Sequence, residues 1–193
     1  MDAAARGGFI GGMKMVGILV LAAVLCGCGS AAKDQAGGFL AAEREQAGVA
    51  DPEAIRKGVE AFRGFFANVT AESVGRLGPG LYAGDVWFND TLKTLRGRDE
   101  VLAYFLKTTG HVDSFGAVVD DVAVSGANAY VRWTMDVRFK GAAEPVRTVG
   151  MTLLRFDREG RVVLHQDFWD PAAGFYEHLP VLGPAMRWIK SRI

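Results

Sequence analysis

In the run "HQDFWD", His165 to Asp170, a histidine, two aspartates and a tryptophan fall within six residues, and Pro171 follows at once. Carboxylates and an imidazole are groups that move protons near neutral pH. In an apolar pocket one carboxyl can stay charged as a base while another is held neutral as an acid. Strand alternation sorts them, because Val163, His165, Asp167 and Trp169 share one face. Asp170 stands before a proline, where an N-cap starts a helix. Asp167 is therefore the candidate site residue and Asp170 a cap, while His165 is either a bonded structural partner of Asp167 or a second base.

A third carboxylate lies in Asn128 to Phe139. There Val131, Trp133, Met135, Val137 and Phe139 alternate with Tyr130, Arg132, Thr134, Asp136 and Arg138. Periodicity alone makes the apolar face core, and makes Asp136 with its arginines a solvated face carrying cross-strand charge pairs.

The elements that must position these residues are legible on both sides. Asp51-Pro52-Glu53 reads as a helix start, and Ile55, Val59, Phe62, Phe65 and Phe66 form one helical stripe after it. A short helix from Thr70 to Leu77 is expected to end at "LGPG". A strand is expected over "LYAGDVWFND", then a helix from Asp99 to Thr109 with Val101, Leu102, Phe105 and Leu106 on its buried side. Segments near 111–124, 128–140, 145–157 and 161–169 read as strands between glycine-containing turns. Helices followed by a run of antiparallel strands make an α+β domain with helices on one face of a curved sheet. The tail carries Leu182, Met186 and Ile189 against Arg187, Lys190 and Arg192. It is an amphipathic helix suited to closing the domain or touching a membrane surface.

The N-terminal "MKMVGILVLAAVLCGCGS" has the charge, apolar run and small residues of a secretion signal. Its apolar stretch falls short of the roughly 20 residues a membrane span needs. Leu25-Cys26-Gly27-Cys28 resembles a bacterial lipobox, which makes Cys28 the acylated residue. The expected organisation is a signal peptide over 1–27, of which 1–12 reads as an overlong gene start. A lipidated cysteine and flexible tether, part helical around Ala41 to Gln46, follow over 28–50, then one domain over 51–193. Gly29 after the cysteine favours the outer membrane, periplasmic side, of a two-membrane bacterium.

Several classes drop out. Lys and Arg number 22 against 22 Asp and Glu, with no clustered basic face, so a nucleic-acid footprint is not expected. Both cysteines sit at the signal boundary, which leaves the mature domain no disulfide or thiol nucleophile. His111, His165 and His178 lack metal-ligand spacing, and no metal is expected.

The segments "VWFNDTLKTLRGRDEV", "VRWTMDVRF" and "REGRVVLHQDFWDP" together resemble the SnoaL-like, nuclear transport factor 2-like superfamily. They resemble most closely its limonene epoxide hydrolase branch, over about Asp51 to Phe175. The resemblance implies a cone-like, curved antiparallel sheet wrapped around a deep pocket, with helices packed on its concave side. It also turns the Asp136 face inward and the Trp133 and Met135 face outward, where a second copy would cover it in a homodimer. The branch's base falls on Asp167, its acid on Asp136 and its water-holding asparagine on Asn89. Its water-holding tyrosine falls on Trp87, and its bridging arginine on Thr134. Both of these depart from the pattern, and Arg132 is the charged side chain near enough to replace the arginine. The implied pocket of Trp87, Asn89, Thr134, Asp136, His165 and Asp167 would take a small hydrophobic molecule. Hydrolysis of an epoxide or a ketosteroid-isomerase-type proton shift would need no cofactor. The two departures keep a non-catalytic binding or accessory module of the cell envelope as the alternative.

Overall fold

The computed structural model describes residues 35–178 and 182–192; Cys28 and the signal segment lie outside them. Helix α1 (Gln35–Glu45) comes first. Helix α2 (Pro52–Phe66) begins at Asp51, whose carboxylate accepts the Glu53 amide at 2.9 Å. Its expected stripe is buried throughout, from Ile55 to Phe66. Helix α3 (Ala71–Leu81) opens with a capping box between Thr70 and Ser73. It does not stop at "LGPG" but runs through Pro79, giving up only the bond a proline cannot donate to the Gly75 carbonyl. Burial of Leu81 in the core holds that last turn.

Strands β1 (Tyr82–Asn89) and β2 (Thr94–Arg96) lead to helix α4 (Arg98–Thr109). Helix α4 buries Val101 and Phe105, whereas Leu106, expected inside, is exposed. Strands β3 (Val112–Ser125), β4 (Asn128–Phe139), β5 (Val146–Phe156) and β6 (Val162–Phe168) follow. A short helix α5 (Pro171–Gly174), a 3-10 turn (Tyr176–His178) and helix α6 (Leu182–Lys190) end the chain.

The six strands form one open sheet in the order β2-β1-β6-β5-β4-β3. It is mixed rather than purely antiparallel, since β1 and β6 run parallel. Register shifts in β1 and β3 mark bulges, which bend strands. Helices α2 and α4 bury aromatic faces, and α3 buries Val74 and Leu81, against one side of the sheet in a core containing Phe62, Phe65, Phe88 and Phe105.

The opposite side carries a smaller cluster in which Ala42 of α1 meets Trp87, Leu153 and Leu164. The stretch expected to be tether is therefore, from Phe39 onward, part of the folded domain. Arg155 fastens it: its guanidinium donates to the Glu43 carbonyl at 2.5 Å and the Gln46 carbonyl at 3.1 Å, and to Asn128 Oδ1 at 2.6 Å. An Arg155→Ala variant is expected to leave the main core folded yet release α1. Limited proteolysis should then cut around Glu43–Gln46 at least about tenfold faster; an unchanged rate would mean the helix holds without this arginine.

Candidate active site

The two faces of β4 separate the site from the surface. Trp133, Met135, Val137 and Phe139 point inward and line a cavity of about 120 Å³. Phe62 and Phe66 of α2, Tyr104 and Phe105 of α4, and Phe88 of β1 close it from the other side. A void of roughly 150 Å³ holds benzene, so the space fits a molecule of that size or smaller. Two carboxylates open on it, Asp90 and Asp167, together with His165, Tyr104, Thr108 and Thr152.

Asp167 is held by a chain of donors. Thr152 Oγ1 donates to Asp167 Oδ1 at 2.5 Å and itself accepts the Trp133 indole N–H at 2.8 Å. Trp133 pairs across the sheet with Gly150, where any Cβ would collide with the indole ring. Glycine at that position lets the indole lie over β5 and reach Thr152. His165, 1% exposed, contacts Asp167 Oδ1 through Nε2 at 3.0 Å and the Tyr82 hydroxyl through Nδ1 at 3.3 Å. A neutral imidazole with its proton on Nε2 satisfies both contacts, the tyrosine donating to Nδ1 and Nε2 donating to the carboxylate. Burial, with the Asp167 charge adding to it, holds the Tyr82 hydroxyl well above its usual range, which keeps it a donor.

Asp90 sits at the turn after β1. Its Oδ1 accepts the Leu92 and Lys93 amides at 3.0 and 2.7 Å, and its Oδ2 accepts the Tyr104 hydroxyl at 2.6 Å. Thr91 in this turn has φ 72°, a left-handed conformation unusual for a threonine. Asn89 Oδ1 accepts the Thr91 amide at 2.8 Å and so fixes the turn. The Trp169 indole N–H donates to the Asp90 carbonyl at 2.8 Å. Burial pushes the Asp90 carboxyl above the usual carboxylate range; the Tyr104 hydroxyl pulls it back and the Asp167 charge pushes it further up.

A carboxyl whose pKa is raised in the folded chain contributes stability that is complete below its unfolded value and is lost as pH rises through its folded value. The Asp90 carboxyl carbon is expected to titrate by NMR above the ordinary carboxylate range near 4, and the midpoint should fall in Asp167→Asn. An unmoved midpoint in that variant would show that the two acids do not sense each other.

The expected residues divide. Asp167 and His165 line the cavity. Asp136 does not: it faces outward, where Arg147 grips it with two hydrogen bonds of 2.8 Å and holds its carboxyl below the usual range. Thr134 and Arg132 also face outward and share Asp120 Oδ2, at 2.8 and 3.2 Å. Trp87 is buried against α1 on the far side of the sheet, and Asn89 is buried in the turn outside the cavity lining. The inside and outside of β4 are thus exchanged relative to expectation. The apolar stripe of β4 is long enough to wall a cavity, and the charged stripe finds its partners across strands at the surface. Asp170 caps α5 by accepting the Ala172 and Ala173 amides at 2.8 and 3.2 Å.

Sequence reasoning missed Asp90, Tyr104, Thr152 and Tyr82. Asp90 was within reach, since alternation along β1 places Phe88 and Asp90 opposite Trp87 and Asn89. Among the described residues, no group of three or more His, Cys, Asp or Glu side chains is arranged to hold a metal ion.

The profile of the SnoaL-like domain matches residues 62–165. The chain belongs to the SnoaL-like domain family. No curated protein sequence matches it significantly. Solved structures share the fold of this SnoaL-like domain. A ketosteroid isomerase-like protein from Catenulispora acidiphila, solved in complex with trimethylamine, aligns with TM-score 0.54 and 21% identity over 64% of this chain and 89% of its own. A limonene epoxide hydrolase-like enzyme of M. tuberculosis aligns with TM-score 0.54 and 17% identity over 74% of this chain and 100% of its own. A putative isomerase from Bacillus subtilis aligns with TM-score 0.52 and 18% identity over 62% and 91%. At these identities the likeness is one of fold, and the site has to be argued from its own residues.

Proposed function

We propose that this SnoaL-like domain binds a small, largely apolar molecule in its cavity and moves protons on it without a cofactor, Asp167 acting as base and a neutral Asp90 as acid. The carrying observation is that both carboxylates open on one aromatic cavity in unlike settings. Asp167 receives hydroxyl and imidazole bonds on Oδ1, and among the described residues none reaches its Oδ2. Asp90 is the acid whose carboxyl burial pushes above the ordinary carboxylate range. A base and a neutral acid facing one space suit a proton shift within the bound molecule. Water addition to an epoxide is less well served, because the positions matching the water-holding and bridging residues lie off the cavity. If the carboxylates serve only to satisfy their neighbours, the domain is instead a binding module of the envelope.

Native mass spectrometry of the chain purified from its host tests the binding part. A retained small molecule of one mass, lost when Ala117 in the cavity wall is replaced by tryptophan, is the expected result. A wild-type spectrum identical to the Ala117→Trp one, across hosts and growth conditions, would count against a ligand site.

The lipobox-like segment supports placing the domain at the envelope through Cys28, and metabolic labelling with an alkynyl fatty acid tests it. Among the described residues no helix is long and apolar enough to cross a membrane. A homodimer would use not the Trp133 face but the outward side, where Val118, Val149, Met151 and Phe168 are exposed on neighbouring strands. Sedimentation of wild type against Val149→Lys tests that arrangement.

A further inference from the structure

We propose that the ligand of this cavity is a small organic cation, an alkylated ammonium, whose charge is met by the Asp167 carboxylate beside Asp90 and whose alkyl groups fill the aromatic space. This rests on the reading of the cavity as a ligand site and names the chemical class that enters it.

The charge content of the wall is one-sided. Two aspartates line the cavity, and among its described lining residues there is no lysine or arginine. An anionic ligand would meet two acids of its own sign in a low-dielectric space. A neutral ligand would leave the Asp167 carboxylate without a counter-charge in that space. A cation supplies that counter-charge, and the Asp167 Oδ2, which takes no bond from the described residues, is the oxygen open to it. The groups facing Asp90 are the Tyr104 hydroxyl from α4, the Asp167 carboxylate from β6 and the Leu92 and Lys93 amides of its own turn. None of them is a competing cation.

The rest of the wall selects which cation. Rings from Phe62, Phe88, Phe105, Trp133, Phe139 and Trp169 offer contacts to alkyl groups, and aromatic faces are the apolar surface that attracts positive charge. A metal ion or bare ammonium is strongly hydrated and would forfeit its water to rings that cannot replace it. A nitrogen carrying methyl or ethyl groups is weakly hydrated, keeps its charge and matches both parts of the wall. The cavity, about 120 Å³, limits it to the size of a tetramethylammonium or a small tertiary amine. Entry of such a charge draws the Asp90 carboxyl toward its ionised form, so binding should release a proton at pH values where free Asp90 is still protonated.

The test is calorimetric titration of the full-length chain with tetramethylammonium chloride against tert-butyl alcohol, similar in shape and uncharged, with sodium chloride fixing ionic strength. The cation is expected to bind saturably and about tenfold or more tighter than the alcohol. Its heat should vary with the ionisation enthalpy of the buffer, and Asp167→Asn, checked by thermal melting, should erase the preference. Should that variant not fold, Asp90→Asn serves in its place. Equal or tighter binding of the alcohol would overturn the cation while leaving the small apolar ligand of the proposed function standing. Saturable binding of neither would overturn both, and a cation preference that survives both substitutions would place the charge recognition elsewhere.

Discussion

Replacing Asp167 by asparagine is expected to lower turnover of a substrate that the cavity converts by about 10²–10⁴-fold, the usual contribution of one positioned general base. The substitution is close to isosteric. The amide oxygen can still accept from Thr152 and His165, so the Trp133–Thr152–Asp167 chain survives while the basic oxygen is gone. The accompanying pH profile separates chemistry from folding. With Asp90 as acid, rate falls as Asp90 loses its proton. Burial and the Asp167 charge move that falling limb above the ordinary carboxylate range. Asp90→Asn should therefore remove the falling limb together with the acid. A fully active Asp167→Asn variant would remove Asp167 from the proposed mechanism and favour the binding-module reading.

Phe65→Ala is expected to be the most damaging single truncation away from the cavity, at about 3–5 kcal/mol or a Tm lower by roughly 10 °C. Phe65 is 0% exposed and packs edge-on against Phe66, Tyr82 and Phe105, so it ties α2 to β1 and α4. Unlike Phe62 and Phe66 it does not line the cavity, which keeps stability and ligand binding separable. Phe65→Leu, which conserves most of the volume, should cost less than about 1.5 kcal/mol. Similar losses for the two variants, or a fall of only a degree or two in the alanine one, would mean the rings do not interlock as described.

How far the sequence reached depends on how many faces each element buries. Helix α2 buries one face, and its stripe and cap are readable to the residue, while the strand boundaries around the glycine turns are readable to within one residue. Strand β1 buries both faces, Phe88 toward the cavity and Trp87 toward α1, so hydrophobicity could not tell inside from outside there. The resemblance to epoxide hydrolases settled the question the wrong way, and Asn89 was chosen where its neighbour Asp90 faces the cavity. In β4 the periodicity was informative and pointed to a solvated Asp136, which the structure bears out through Arg147. The docking of helix α1 on the domain escaped because its sequence, rich in Gly, Ala and charge, buries little beyond Ala42 and the edge of Phe39.

The parallel seam between β1 and β6 has a consequence for how the chain comes to fold. The first full-length strand waits for the last, and His165 meets the Tyr82 hydroxyl across 83 positions of sequence. Such distant pairings are slow to form, because a long loop must close before any contact rewards it. A nascent chain that has not yet emerged beyond Phe168 lacks the strand that fills the middle of the sheet, and with it Asp167. Helices α2 to α4 and the β3–β4 hairpin can form from local contacts while the gap stays open. The site is thus incomplete until β6 docks, and chains cut short in synthesis or by proteolysis before β6 carry the aromatic wall with none of its β6 chemistry.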